Sequence, residues 1–370
     1  MTLQSFEEDC IQIMREQARG GLTRRNLIRS ALAAGVPLAL LPAGARMAMA
    51  QATGPEVVLV NFGGDAVEVF TRAFVEPYRE IGGNIVIDGS GPSAGKILNM
   101  VQSNNVTWDI ADSGIAGLAQ LVPQNALEPI DYDIVDRNKL DQEFAYEYGV
   151  VNYLFSSVMA WDSSKIEGTP TMADFFDLET YPGRRMMRRD SQAMLEMTLL
   201  ADGVAIEDLY PLDVDRAFAK IEPIKSELLF WNSGAESQSL LRDGEAVMGM
   251  LWNTRANILG EETNGRIKYS FVDGLLQPGL WVVPRNNPAG RQAAMEAIAF
   301  MQNPESQIVI LEAMGNGPAN PAAAELIDPA VRPSNPSDPE NVAVQAKISA
   351  DWYNEHHADT YERFLDLISS

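Results

Sequence analysis

One cysteine, Cys10, stands in 370 residues, and it falls within an N-terminal leader, so the chain beyond residue 50 has no thiol. Disulfides, thiol catalysis and lipid attachment through cysteine are thereby excluded for that part. Histidine is almost as scarce. The two present, His356 and His357, lie beside Glu355 and Asp359 in a polar carboxy-terminal stretch. Without cysteine or a third histidine they cannot complete a zinc site, and with no Gly-x-Ser-x-Gly elbow before them a Ser/His/Asp relay lacks its parts. They read as solvated helix residues. Basic charge is in deficit too, 28 Lys and Arg against 51 Asp and Glu, a net of −23. Such a surface repels nucleic acid and anionic lipid headgroups, so neither is expected as a partner. Long apolar runs are also missing: Ala31 to Leu41 is interrupted by Gly35 and Pro37, and is too short to span a bilayer core of ~30 Å.

What is there begins with that short run. It follows Thr23-Arg24-Arg25-Asn26-Leu27-Ile28-Arg29, and paired arginines before an apolar segment are a receptor-read address for twin-arginine export. Ala48-Met49-Ala50 supplies small residues for a signal peptidase. Residues 1–50 are therefore read as a signal peptide cleaved near Ala50, with the periplasm as destination and no stable membrane insertion after cleavage. The remaining chain, about 320 residues, exceeds the size at which one core usually stops growing, and two lobes are expected.

The order of elements points to an α/β fold. Val57 to Val60 is a β-branched run ending in a Gly63-Gly64 turn, with Asp65 as N-cap of a helix whose buried face is Val67, Phe70, Ala73 and Phe74. Gly82-Gly83 ends that helix, and Asn84 to Ile87 is the next strand. Ser93 then caps a helix carrying Ile97, Leu98 and Val101, Trp108 to Ala111 is a third strand, and a further helix opens near Gly114. This βαβαβ order predicts a mainly parallel sheet covered by helices, with ligands gathering at the carboxyl ends of its strands. Three loops lie at that edge: Phe62 to Asp65, Gly89 to Ser93, and Asp112 to Gly114. Further on, Val150 to Ala160 leaves the first lobe, Asp174 to Phe176 and Met194 to Leu200 read as helices, and Val247 to Trp252 and Trp281 to Pro284 read as strands. Arg291 to Met301 is an amphipathic helix, and Gly317 to Glu340 has little periodicity.

Gly89 to Lys96 superficially offers a phosphate loop, but Ser90 stands where glycine is required and Ile97 where a magnesium-binding hydroxyl is required. No nucleotide and no other cofactor is expected. Binding elements are better represented. Trp231, Trp252 and Trp281 sit near strand ends; an aromatic face attracts an ammonium by ~0.5–2 kcal/mol, although Trp281 reads as core. Arg184, Arg185, Arg188 and Arg189 form a charged rim before Asp190, which caps the following helix, and Asp112 is assigned to capping the helix after it. Arg255, just past Trp252-Asn253, presents a fixed fork suited to a carboxylate.

Several segments then converge: Gly149 to Asn152 (GVVN), Met172 to Asp177 (MADFFD), Tyr181 to Arg185 (YPGRR), Leu200 to Gly203 (LADG), Leu209 to Phe218 (LYPLDVDRAF), Met248 to Asn253 (MGMLWN) and Asp351 to Glu355 (DWYNE). In this order they resemble the spermidine/putrescine-type solute-binding proteins of ABC importers, from about Val57 to the C-terminus. The resemblance implies a periplasmic-binding-protein-like type II fold: two α/β lobes around a hinge, a ligand cleft between them, no catalytic turnover, and delivery to a membrane permease. We assign residues 51–155 with 281–316 to lobe 1 and residues 156–280 with 317–370 to lobe 2. By the same resemblance Trp252 packs on ligand methylenes and Asp190 is an amine-binding carboxylate. Ala193 stands where a second carboxylate is expected, and Gln277 and Gly279 where the family often carries an aromatic and an aspartate. The expected ligand is a polyamine such as putrescine or spermidine. The alternative is a zwitterionic ω-amino acid such as 4-aminobutyrate, held by Arg255 and Asp190 at its two ends. A reading from another class, an exported hydrolase working at the same cleft, lacks a usable histidine, cysteine or metal cluster. The candidate binding residues are Phe62, Asp65 and Ser113 from the first lobe and Asp190, Trp231, Trp252, Asn253 and Arg255 from the second.

Overall fold

The computed structural model describes residues 54–369, and the expected export leader and cleavage site lie outside them. Strand β1 (Val57–Val60) leads into helix α1 (Asp65–Phe70), which passes through a π-helical turn (Thr71–Val75) into α2 (Glu76–Glu80). Then follow β2 (Ile85–Asp88), α3 (Ala94–Gln102), β3 (Ile110–Ser113), α4 (Ile115–Leu121) and the short β4 (Leu127–Glu128). β1 pairs in parallel with both β2 and β3, as crossover helices on the sheet faces require. Ser93 caps α3 through Lys96 N–H, as its sequence position indicates, and α4 opens at Gly114. The N-cap of α1 is Gly64, at φ 62°, rather than Asp65, which becomes the first helical residue.

The chain continues through two long strands, β5 (Val150–Asp162) and β9 (Ile267–Pro284), with a second α/β half between them. That half holds β6 (Arg185–Arg188), α5 (Met194–Ala201), α6 (Val214–Ile221), β7 (Leu228–Trp231), α7 (Gly234–Arg242), β8 (Met248–Trp252) and α8 (Asn253–Glu262). β6 runs parallel to β7 and β8. After β9 come α9 (Arg291–Met301), α10 (Pro304–Met314), β10 (Gly317–Pro318), α11 (Pro339–Val342), β11 (Ala346–Lys347) and α12 (Ala350–Ser369). The main sheet order is β2-β1-β3-β9-β5-β8-β6-β7. β5 and β9 are antiparallel to each other from Val150 opposite Trp281 to Asp162 opposite Ile267, and antiparallel to β8 and β3 respectively. The sheet is therefore mixed, with parallel flanks. The βαβ spacing is legible only in those flanks, and the two strands linking the halves are the antiparallel element it misses.

Three local expectations change. β3 begins two residues later than the apolar run suggests, because Trp108 and Asp109 are anchors outside it. The Trp108 indole N–H donates to Asp88 at 2.8 Å, and the Asp109 carboxylate accepts from Val58 N–H and Ala289 N–H. Asp112 and Ser113 thus end the strand instead of forming a loop. Asp174 to Phe176 belongs to a 3-10 turn, Met172–Phe176, closed by a capping box between Thr171 and Asp174. Arg185, placed by its sequence neighbours in a solvated rim, is fully buried and donates to the carbonyls of Phe175, Asp177, Tyr181 and Gly183. Trp281 is core, as read: it packs edge-on against Phe70 and Phe74 at 5.8 and 6.3 Å.

The carboxy-terminal helix α12 reaches both flanks. His357 is buried rather than solvated, and its Nε2 lies 2.9 Å from Gln120 Nε2 on α4. Phe364 packs on Phe218 of α6.

Candidate functional site

A cavity of about 340 Å³ opens where the carboxyl ends of β1 and β3 meet those of β6 and β8. The first half contributes Phe62, Ser93, Asp112 and Ser113; the second contributes Arg188, Asp190, Trp252 and Arg255; and Tyr153 and Phe155 project from β5. This is the edge at which an open α/β sheet collects ligands.

Arg255 is the outstanding charge. It sits in the first turn of α8, 4% exposed, and its Nε has no hydrogen-bond partner. Burial depresses its basicity, opposed by the charge of Asp65. A guanidinium beside a helix N-terminus, whose dipole is itself positive, is a site that calls for an anion. The residues around it are shaped for its approach. A Cβ on Gly234 would lie 2.4 Å from Arg255 Nε, so no larger residue fits there without moving the guanidinium.

Asp112 is the opposite pole. The carboxyl group is 2% exposed and does not cap α4. The Tyr153 hydroxyl donates to Oδ2 at 2.8 Å, while Oδ1 is buried with no partner. Burial pushes Asp112 up to about 8, against the pull of Tyr153 and the Ser113 backbone N–H. Tyr153 is held well above its usual value by burial and by Asp112, with Arg255 pulling the other way. Its ring occupies the place a side chain at residue 279 would take: a Cβ on Gly279 would come within 2.3 Å of it.

An aromatic wall closes one side. Trp252 contacts Phe62 at 5.6 Å, Phe155 at 6.4 Å and Trp231 at 5.1 Å between ring centroids. The Arg188 guanidinium lies 5.3 Å from the Trp252 ring centroid and 3.4 Å from Asp190. The protein thus already supplies a cation to Trp252 and a partner to Asp190, whose Oδ1 also accepts Gln192 N–H.

Phe62, Ser113, Asp190, Trp252 and Arg255 line the cavity together. Asp65 lies exposed at the start of α1 and acts on Arg255 through its charge. Trp231 is completely buried, its indole N–H bonded to the Met250 carbonyl, so it braces Trp252 instead of facing the cavity. Asn253 is likewise enclosed: it accepts from Ser156 N–H at 2.8 Å and donates to the Gly315 carbonyl at 2.7 Å, tying β8 to β5 and to the end of α10.

Sequence reasoning passed over Tyr153 and Gln192; of the four arginines it grouped before Asp190, Arg188 is the one that lines the cavity. The Gln192 amide accepts from Ala116 N–H in the first half and donates to Gln277, which in turn donates to Ser157. The sequence trace of this relay is glutamine at 277, where the resemblance leads one to expect an aromatic.

An α/β molecule whose halves share two long strands and converge on one cavity bearing opposite charges is of the kind that encloses a small solute. The chain belongs to the bacterial extracellular solute-binding protein family, matching it over residues 79–341; these are solute-binding components of ABC transporters, not enzymes. It is 31% identical to the gamma-aminobutyric acid-binding protein of Pseudomonas aeruginosa PAO1, over 86% of this chain and 92% of that one. The structure of AgtB from A. tumefaciens R10 in complex with agropinic acid superposes with a TM-score of 0.79 at 30% identity, covering 85% of this chain and 99% of that one. A structure described as the Atu4243-GABA receptor gives 0.76 at 32% identity, covering 85% and 97%. The spermidine/putrescine-binding periplasmic protein of Escherichia coli K12 is more distant, 20% identical over 56% of this chain and 59% of its own. Among the described residues no helix is long and apolar enough to cross a membrane.

Proposed function

We propose that this protein is the periplasmic binding component of an ABC importer for a zwitterionic solute of the ω-amino-acid type, exported by the twin-arginine route and handing its ligand to a permease. The observation that carries this reading is Arg255, buried against the cavity with its Nε unpartnered: a buried donor left unsatisfied is costly, and a ligand carboxylate supplies the missing hydrogen-bond partner. Relatives that bind gamma-aminobutyric acid or agropinic acid by name support it.

The polyamine reading gives way to this alternative. A diamine would bring two ammonium groups to a cavity in which Arg255 leaves its Nε without a partner, and Ala193 and Gly279 stand where its further carboxylates are expected. The lobes assigned to residues 51–155 with 281–316 and 156–280 with 317–370 would turn about β5 and β9. Capture follows from contacts made with both halves only in the closed form, which is the differential affinity that shifts an open form to a closed one.

Calorimetric titration of the mature chain with 4-aminobutyrate, putrescine and spermidine tests the assignment. Arg255→Gln is expected to weaken 4-aminobutyrate about 100-fold, the scale of a lost charge-assisted pair. It should also raise the melting temperature of the unliganded protein, because a buried charge with an unsatisfied Nε donor is removed. Unchanged 4-aminobutyrate affinity in that variant, or preferential binding of putrescine by the wild type, overturns the assignment.

A further inference from the structure

We propose that Asp112 is the carboxylate that receives the ammonium end of the ligand, so that the two charged ends of the solute are read by different halves of the molecule. This rests on the zwitterion reading above and goes beyond it, since the sequence points to Asp190 for that role. Three observations favour Asp112. It lines the cavity and is 2% exposed, yet Oδ1 has no hydrogen-bond donor; a buried carboxylate needs donors at both oxygens, and the side-chain donor present, Tyr153, serves Oδ2 alone. Asp190, by contrast, is already neutralised by Arg188 at 3.4 Å and accepts Gln192 N–H. Third, Tyr153 holds Oδ2 of Asp112 and feels the charge of Arg255, and all three residues line the same cavity. A flexible chain of methylenes running past Tyr153 along the wall formed by Phe62, Phe155 and Trp252 joins the two poles.

The arrangement gives a reason for selectivity. Asp112 ends β3 in the first half and Arg255 opens α8 in the second, so an amine or an acid alone satisfies one half and leaves the other pole unpaired. Only a molecule with both ends gains from closure.

The test compares 4-aminobutyrate with 4-hydroxybutyrate, which keeps the carboxylate and the length but loses the charge of the amine, in wild type, Asp112→Asn and Asp190→Asn. Asparagine preserves the size of the side chain, and circular dichroism and melting temperature report whether each variant is folded. Asp112→Asn is expected to weaken 4-aminobutyrate about 100-fold and 4-hydroxybutyrate less than about threefold, while Asp190→Asn changes either by less than about tenfold. Full 4-aminobutyrate affinity in Asp112→Asn, or the loss falling on Asp190→Asn instead, overturns the assignment and leaves the zwitterion reading standing. If the wild type binds putrescine and no amino acid, and Asp112→Asn abolishes that binding, Asp112 is upheld as an ammonium site and the zwitterion reading falls. Should the wild type bind neither an amino acid nor an amine, both are overturned.

Discussion

Arg255 and Asp112 each carry an atom that the folded chain leaves without a partner, and native interiors rarely tolerate that without a use for it. Asp112 has a pH signature. Burial places its carboxyl group at about 8 before ligand arrives, so at pH 6 it is protonated and must lose that proton to accept an ammonium. Affinity for 4-aminobutyrate should therefore rise with pH below 8, approaching tenfold per unit well below the pKa. The titratable group facing Asp112 is Tyr153, kept protonated far above this range, and the cation of Arg255 lines the same cavity. Calorimetry in buffers of different ionisation enthalpy would register about one proton released per ligand at pH 6, and a flat affinity from pH 6 to 8 would contradict this. Asp112→Asn should abolish the slope.

At the scale of elements, α5 and α12 are joined by a buried carboxyl group. Glu196 on α5 accepts from Tyr210 at 2.8 Å and from Tyr353 on α12 at 2.7 Å, both through Oε1, while Oε2 has no partner. Burial raises its pKa from 4.5 to about 7, against the pull of those two hydroxyls. Its folded pKa is thus above its unfolded one, so its contribution to stability is fully present below about pH 4.5 and is lost as the pH rises through 7. Glu196→Gln keeps an acceptor for both tyrosines and removes the titration. The variant is expected to be more stable than wild type above pH 7, by roughly 1–3 kcal/mol, with a flatter pH profile in denaturant titrations between pH 5 and 8. A wild-type-like slope in the variant would place the titration elsewhere.

For the whole molecule the decisive parts are β5 and β9, 13 and 18 residues long, which both halves share. Closure about these strands predicts a fall in the radius of gyration by small-angle scattering when 4-aminobutyrate saturates the cavity. Binding itself, with or without closure, adds ligand-linked stabilisation of ~4 kcal/mol at a thousandfold excess over Kd. An unchanged radius of gyration with that stabilisation present would mean a rigid receptor.

Local signals were legible where one residue and its chain neighbours settle the outcome. Ser93 as a helix cap, Gly114 as a helix opening, the buried face of Phe70 and Phe74, and the strands flanking the sheet follow from propensity, capping and period alone. The family and the candidate Arg255 were readable too, from ordered segments and from a fork-shaped cation placed after Trp252-Asn253. Only the tertiary structure decided that Trp231 and Asn253 brace the cavity from behind, that Arg185 and His357 are buried, and that Asp112 faces Tyr153 instead of capping α4. Those outcomes depend on register between strands far apart in the chain. Tyr153 reaches Asp112 because β5 lies against β9 with Gly279 opposite it, and no window of neighbouring residues contains that pairing.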